Sequence, residues 1–395
     1  MYICSIPPNI PIGVFMLSWL QKKRTPQRPP LTGLHLWHQP QWTSRTYENL
    51  TREGYMKNVI LYRAINMIAH NMASVPWTLY KNGHQTPSSP LARLIEEPNF
   101  KQSRAAFMES LTAYILLSGN AYVECVGEGE FEELYLLRPD RVTIQPGPYG
   151  APKAYEYRVG SEVRVIPADP VDGSSRILHI KTFHPLNDWY GLSPMEAAAS
   201  AVDQHNAVGG HNLSLLQNGG RLSGALLLKG EGGLSMEERE SLKMQLQESY
   251  QGPDHAGRLL VLEGDMEWKE MGLSPKDLDF LEGKHVSARE ISQAYGVPPM
   301  LLGIPGDSTF SNYKEARFHL WEDTILPLLN MVISEFNRWM TARYGESVTF
   351  TYDVDSISAL ALRREPIWER LKNADFLTVN EKRQALGYPP LPEKN

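Results

Sequence analysis

The stretch from Asn312 to Arg343 sets the scale of any fold this chain can adopt. Apolar residues recur there at Phe318, Ile325, Leu329, Val332, Phe336 and Trp339, at helical spacing. A helix of that extent reaches roughly 45 to 50 Å, and Pro327 inside it is expected to kink it. Helices of that length suit a large assembly. The chain has 395 residues, 42% of them apolar and 10% aromatic, which is enough for two or three packed substructures.

The rest of the sequence reads as an α+β chain. Residues 17 to 55 are rich in Pro, Trp, Gln and Thr with little periodicity, which predicts an extended arm whose Trp37 and Trp42 need a partner surface. A helical pattern follows from Asn58 to Met72. A strand from Val75 then ends on the turn Asn82-Gly83. Helices are predicted at Pro90 to Glu96 and Ser103 to Leu117, the second broken by Ser118-Gly119-Asn120. Short strands are predicted at 121–126, 134–137, 142–145, 155–159, 163–166 and 177–181.

Ser193 as N-cap and Pro194 at the first position open a helix running to Asn218, in which Gly209-Gly210 suggests a bend or a close helix contact. Next come a strand at 224–229, an amphipathic helix at 235–250 opening on Ser235-Met-Glu-Glu-Arg, and strands at 258–262 and 266–270. A second long helix is expected from Ser274 to Tyr295. The Pro/Gly-rich run from Val297 to Ser311 is too broken to be helical. A strand at 348–352 and a helical tail with a cap at Thr378-Val-Asn-Glu end the chain.

Several kinds of chemistry are missing from this pattern. There is no Gly-x-x-x-x-Gly-Lys-Ser/Thr, so no ATPase loop, and no His-Glu-x-x-His or Gly-x-Ser-x-Gly. Cys4 and Cys125 lie far apart and outside any metal-ligand spacing, so no disulfide framework or zinc site is expected and a reducing compartment is the natural reading. Asp353 and Asp355 sit between a strand and a helix, where capping and turn formation outweigh metal ligation. His205 and His211, six positions apart, suit packed or solvated roles better than a shared metal. No enzyme activity, cofactor or metal is expected. The apolar run from Ile10 to Leu20 precedes its basic cluster, carries Pro11 and Gly13, and is too short to span a bilayer. The run Met16-Leu-Ser-Trp-Leu-Gln-Lys-Lys-Arg predicts a translation start at Met16. The formal charge of -6 argues against a tight, static grip on nucleic acid but leaves room for a surface that DNA slides past.

A series of local strings resembles the phage portal family found with the common tailed-phage capsid. They are Gly119-Asn-Ala-Tyr, Leu137-Arg-Pro-Asp-Arg-Val, Ile177-Leu-His-Ile, Tyr190-Gly-Leu-Ser-Pro-Met, Gln217-Asn-Gly-Gly, Leu234-Ser-Met-Glu-Glu, Arg258-Leu-Leu-Val-Leu-Glu-Gly, Ile291-Ser-Gln-Ala-Tyr-Gly-Val-Pro-Pro, Thr309-Phe-Ser-Asn-Tyr-Lys-Glu-Ala and Leu377-Thr-Val-Asn-Glu. Each alone is weak. Their strength is their shared order over about residues 50 to 388.

The resemblance implies a portal fold with an α/β wing, two long stem helices, a small α+β clip, a tunnel loop with a long kinked helix, and a short helical crown. It places an arm at 1–49, the wing at 50–192 with 312–354, stem helices at 193–218 and 274–296, the clip at 219–273, the tunnel loop at 297–311 and the crown at 355–395. It implies a closed ring, twelve-fold in the particle, that passes double-stranded DNA without reading its sequence. Terminase, a head-tail adaptor and the major capsid protein are the implied partners. The implied setting is a virion or phage-like particle assembled in the bacterial cytoplasm. A head-to-tail connector ring without the packaging role is the competing reading.

Within this frame the DNA contacts are expected at Gly303, Pro305, Gly306, Asp307, Ser308, Thr309, Ser311 and Asn312, with Lys314 and Arg317 just behind. An ordinary helix N-terminus capped by Ser311 or Asn312 fits the same residues. The first stem helix carries Glu196 and Asp203 but no Lys or Arg between Met195 and Asn218, which suits a channel wall, a packed subunit face, or both.

Overall fold

The computed structural model describes residues 42–129, 132–169, 174–217, 224–228, 235–238, 240–242, 244, 266–270, 279–306, 310–344, 348–385 and 391. Expectations on residues 1–41, on the strand at 258–262, on 274–278 and on 307–309 therefore lie outside the described residues.

The chain is helical from Tyr47, where the sequence predicts an extended arm up to residue 55. Thr46 caps a short helix α1 (Tyr47–Leu50) through the Asn49 N–H, and a π turn at Thr51–Tyr55 continues it. The polar composition hid this element, because only Leu50 and Gly54 are buried. Helix α2 (Val59–Ser74) starts at Asn58, whose Oδ1 accepts from the Ile60 and Leu61 N–H groups. It buries Leu61, Ala64, Ile65, Ile68 and Met72 against α4 (Arg104–Ser118). Between them lie the hairpin β1 (Trp77–Lys81) and β2 (His84–Gln85), and α3 (Pro90–Glu96), capped by Ser89. The hairpin turn needs two left-handed residues and has them, Asn82 at φ 51° and Gly83 at φ 78°.

Strands β3 (Asn120–Val126), β4 (Glu133–Leu137), β5 (Val142–Pro146), β6 (Pro152–Val159), β7 (Glu162–Pro167) and β8 (Ile177–Lys181) follow the predicted alternation to within a few residues. They form two antiparallel sheets, ordered β4-β3-β8 and β5-β6-β7. Glu124 of β3, almost fully buried, joins them by a two-pronged bond to Arg164 of β7, at 2.7 and 2.6 Å.

Helix α5 (Pro194–Gln217) is unbroken, and a Cβ at Gly209 or Gly210 would meet nothing within 4 Å. Among the described residues, the glycine pair therefore marks no close contact. Beyond it, β9 (Gly224–Leu228) pairs antiparallel with β10 (Met266–Glu270). At Ser235, where an amphipathic helix is predicted to open, a capping box is present: its Oγ accepts from the Glu238 N–H, and the Glu238 carboxylate accepts from the Ser235 N–H.

The second long helix is described as α6 (Phe280–Ala294), preceded by Asp279 in a left-handed conformation at φ 45°, so it does not run through Asp279 as the sequence predicts. The long C-terminal helix also differs from expectation. It runs as α7 (Phe310–His319), a π turn at Leu320–Ile325, and α8 (Leu326–Tyr344). Pro327 has no N–H for the carbonyl four residues back, and a one-residue shift of the hydrogen-bond ladder just before it absorbs that gap. Strand β11 (Val348–Tyr352) returns to complete the sheet β11-β1-β2, and α9 (Ser358–Lys372) and α10 (Val379–Ala385) follow.

The main core gathers α2, α4, α8 and the sheets around Phe336, Ile115 and Ile180, and a smaller one lies around Tyr122 and Tyr155. A largely buried ion pair, Arg343 to Glu132 at 2.6 Å, ties the end of α8 to the segment before β4, and the Tyr344 hydroxyl donates to the same carboxylate. Among the described residues no helix is long and apolar enough to cross a membrane.

Candidate functional site

Two helices, α5 and α6, leave the α+β unit side by side, and the residues at their base explain why. Small side chains let them approach: Ala198, Ala199, Ala201 and Val202 on α5 are buried, as are Ser287, Ala288 and Ile291 on α6. Farther out, His211 and Phe280 bring their rings to 4.7 Å.

The base is a knot of polar contacts around the end of α4. The Leu116 carbonyl accepts from the Ser193 hydroxyl at 3.0 Å and from the buried Tyr295 hydroxyl at 3.3 Å. Ser193 also receives the Met195 N–H, which makes it the predicted start of α5. Gly119 ends α4 at φ 72°, and a Cβ there would stand 2.6 Å from the Leu192 backbone. Asn120 accepts from the Gly191 N–H at 2.8 Å and from His179 Nε2 at 3.1 Å. His179 is stacked on Tyr122, and burial, with Lys181 nearby, lowers its pKa from 6.5 to about 3. The strings Gly119-Asn-Ala-Tyr, Ile177-Leu-His-Ile, Tyr190-Gly-Leu-Ser-Pro-Met and Ile291 to Pro299 thus meet at one junction.

A second contact fixes the first half of α5. Asn58 Nδ2 donates to His205 Nδ1 at 3.1 Å and to Asn206 Oδ1 at 3.0 Å. Burial, then the Lys284 charge, lowers the His205 pKa, so the ring is the neutral acceptor this bond requires.

The two acids expected to face a channel, Glu196 and Asp203, both lie in the inner half of α5. Asp203 is half-buried, and its carboxylate accepts from the Thr43 N–H at 3.1 Å and from the Thr43 hydroxyl. Glu196 is also half-buried, and its backbone carbonyl accepts from Arg45 at 2.9 Å. Both acids therefore stand beside the segment leading into α1. The solvent-facing residues of the outer half of α5 are Gln204, Ala207, Gly210, His211, Leu213, Ser214, Leu216 and Gln217, with no carboxylate, Lys or Arg among them.

The loop after α6 is less free than its composition suggests. Val297 and Ile304 are buried, Pro299–Leu302 form a 3-10 turn, and the Thr324 hydroxyl holds the Gly296 carbonyl at 2.7 Å. Gly303 turns the chain at φ 75°, after which Pro305 and Gly306 are exposed and Arg289 Nη2 donates to the Pro305 carbonyl. Asp307, Ser308 and Thr309 lie outside the described residues. Helix α7 begins at Phe310, so Ser311 and Asn312 belong to its first turn and neither is the cap that the sequence suggested. Lys314 and Arg317 are exposed on the same helix. Arg289 was missed in the sequence because an exposed helical arginine carries no signal of its own. Asn58 and Tyr295 were read only as parts of a pattern.

Against known proteins, the profile of the phage portal protein family matches residues 60–387. An uncharacterised protein of Rickettsia bellii is 42% identical over 342 residues, covering 86% of this chain and 89% of that one. The portal protein of Enterobacteria phage HK97 is 23% identical over 358 residues, covering 87% and 82%. Among solved structures, the neck of an empty gene transfer agent particle, with C6 symmetry, superposes with a TM-score of 0.69 at 41% identity, covering 89% of this chain and 96% of that one. The neck of the native particle, with C12 symmetry, gives 0.67 at the same identity and coverage.

Proposed function

Because this chain belongs to the phage portal protein family, we propose that twelve copies close into a ring at one vertex of a phage-like particle and pass double-stranded DNA inward during packaging and outward during ejection. The observation that carries this reading is the likeness to the neck of a gene transfer agent particle, at 41% identity over nearly the whole of both chains.

In this reading residues 50–192 with 312–354 make the wing, α5 and α6 the stem, 219–273 the clip, 297–311 the tunnel loop and 355–395 a small crown. The clip would dock the terminase motor and later the head-tail adaptor, with the wing facing the major capsid protein. The outer half of α5 supports a channel role because a neutral surface makes no phosphate ion pairs that would hold DNA in place. The half-buried Glu196 and Asp203 would shape the stem's base rather than repel DNA directly. At the tunnel loop, burial of Val297 and Ile304 favours the segment after Ile304 as the projecting part. Lys314 and Arg317 on α7 would add the positive charge behind it.

Electron microscopy of purified protein tests the reading. Rings with an axial channel are expected, and a monomer at high concentration, with or without capsid protein, would count against it. Replacing residues 222–268 by a short Gly/Ser linker separates the finer assignment. The wing should still fold, and particles should fail to package.

A further inference from the structure

Proteins protect the open edges of their sheets, because a row of unpaired N–H and C=O groups invites another strand. In the three sheets of the α+β unit several edges carry a bond from outside the sheet. On β11, Asn337 imitates a strand: its Oδ1 accepts from the Phe350 N–H at 2.7 Å and its Nδ2 donates to the Phe350 carbonyl at 3.0 Å. On β4, the Leu134 N–H donates to Pro98 and the Leu134 carbonyl accepts from Asn99, at 2.6 and 2.8 Å. On β5, the Ile144 N–H donates to the Tyr190 hydroxyl at 2.9 Å. Strand β8 packs against α8, and β2 is only two residues long.

Before Pro167, strand β7 has no such bond among the described residues. The register with β6, fixed by Val159↔Glu162 at the turn and by the Ala168 N–H donating to the Lys153 carbonyl, turns the main-chain groups of Glu162, Arg164 and Ile166 toward β6. Those of Val163 and Val165 point away from it. Among the described residues neither valine's main chain has a partner there. Both side chains are exposed, at 44% and 53%. Arg164, the basic side chain that could shield this edge, is drawn back to Glu124 and over the Tyr157 ring. Pro167 then ends the edge, leaving room for a short strand only.

We infer that the open edge of β7, at Val163 and Val165, pairs with an extended segment of the next copy of this chain. The inference rests on the ring reading. A closed ring needs two different faces that meet head to tail, and an edge that accepts a strand is a one-sided contact of that kind. An open edge that is apolar where edges usually carry charge fits burial in an assembly.

Amide hydrogen exchange on wild-type protein, compared between rings and monomers separated by gel filtration, tests it. In monomers the Val163 and Val165 amides should exchange fast, while those of Arg164 and Ile166, bonded to β6, exchange slowly. In rings the first two should slow by about tenfold or more. Val165→Pro removes one outward N–H without touching a bond to β6, and Val163→Lys with Val165→Lys charges the edge. Both variants should keep the monomer's melting temperature within a few degrees and lose rings. Rings in which the two valine amides exchange as fast as in monomers, or rings that persist in both variants, would overturn the inference and leave the ring reading intact. Wild-type protein that never forms rings would overturn both.

Discussion

Ser193 and Tyr295, at the bases of two different helices, donate to one acceptor, the Leu116 carbonyl. That carbonyl belongs to the last turn of α4, where the chain has no further helical N–H to offer it. The two helices are thus set from the same point at their bases.

Removing either hydroxyl should therefore loosen the junction. Tyr295→Phe is expected to cost about 1 kcal/mol, the net value of a buried neutral hydrogen bond. Ser193→Ala should cost about 2 kcal/mol, because it also strips the helix cap at Met195. Urea denaturation of the monomer measures both. Equal, negligible effects would show that the shared acceptor does not matter to stability.

The Arg343–Glu132 pair predicts a larger effect. Glu132 is nearly buried, with 8% of its side chain exposed. Arg343→Met should leave that carboxylate without its partner and cost about 3 kcal/mol. Adding Glu132→Gln should recover part of the loss, because the uncompensated charge is then gone. A double-mutant cycle by denaturation reads the coupling, and simple additivity would contradict it.

Acid should destabilise the fold through its buried histidines. His179 has a folded pKa of about 3 against 6.5 for the free side chain, and His205 is shifted in the same direction. Between those values the unfolded chain binds a proton that the folded chain refuses, so this part of the stability is complete above pH 6.5 and is lost as pH falls toward 3. The slope is up to about 1.4 kcal/mol per pH unit for one such group. Melting temperatures from pH 7 to pH 4 should fall steeply in the wild type and less steeply in His179→Gln.

Charge added to the proposed tunnel loop should convert the proposed passage of DNA into grip. Asp307→Lys with Ser308→Lys is expected to raise the affinity of rings for double-stranded DNA and to steepen its salt dependence by about 0.9 in log–log slope per new phosphate contact. Packaged genome length should shorten. Unchanged binding across salt, with full-length packaging, would remove the loop's proposed role.

Much of this architecture is legible in the sequence because local chemistry decides it. Asn82-Gly83 announces its turn and Ser193-Pro194 its cap, and both are found as read. The elements that were misread depend on distant partners. Helix α1 is held by Thr46 and a single buried leucine, too little for any periodicity to show. The turn at Pro299–Leu302 is set by a core that buries Val297 and Ile304, whereas composition predicts an open loop. The π turn before Pro327 leaves no mark in a pattern that continues through it. For the candidate site, the absence of bases on α5 could be counted from the sequence. The engagement of Asp203 by Thr43 could not, because it joins residues far apart in the chain.

If α5 lines the proposed channel, its neutral outer half would bear on the work of moving DNA. A duplex carries a condensed layer of counterions, and a basic wall would strip and restore that layer at each step. In a ring whose channel these helices line, the layer would travel with the duplex. The electrostatic energy along the axis would then be nearly level, without wells to climb out of, and friction rather than binding would set how fast the duplex advances.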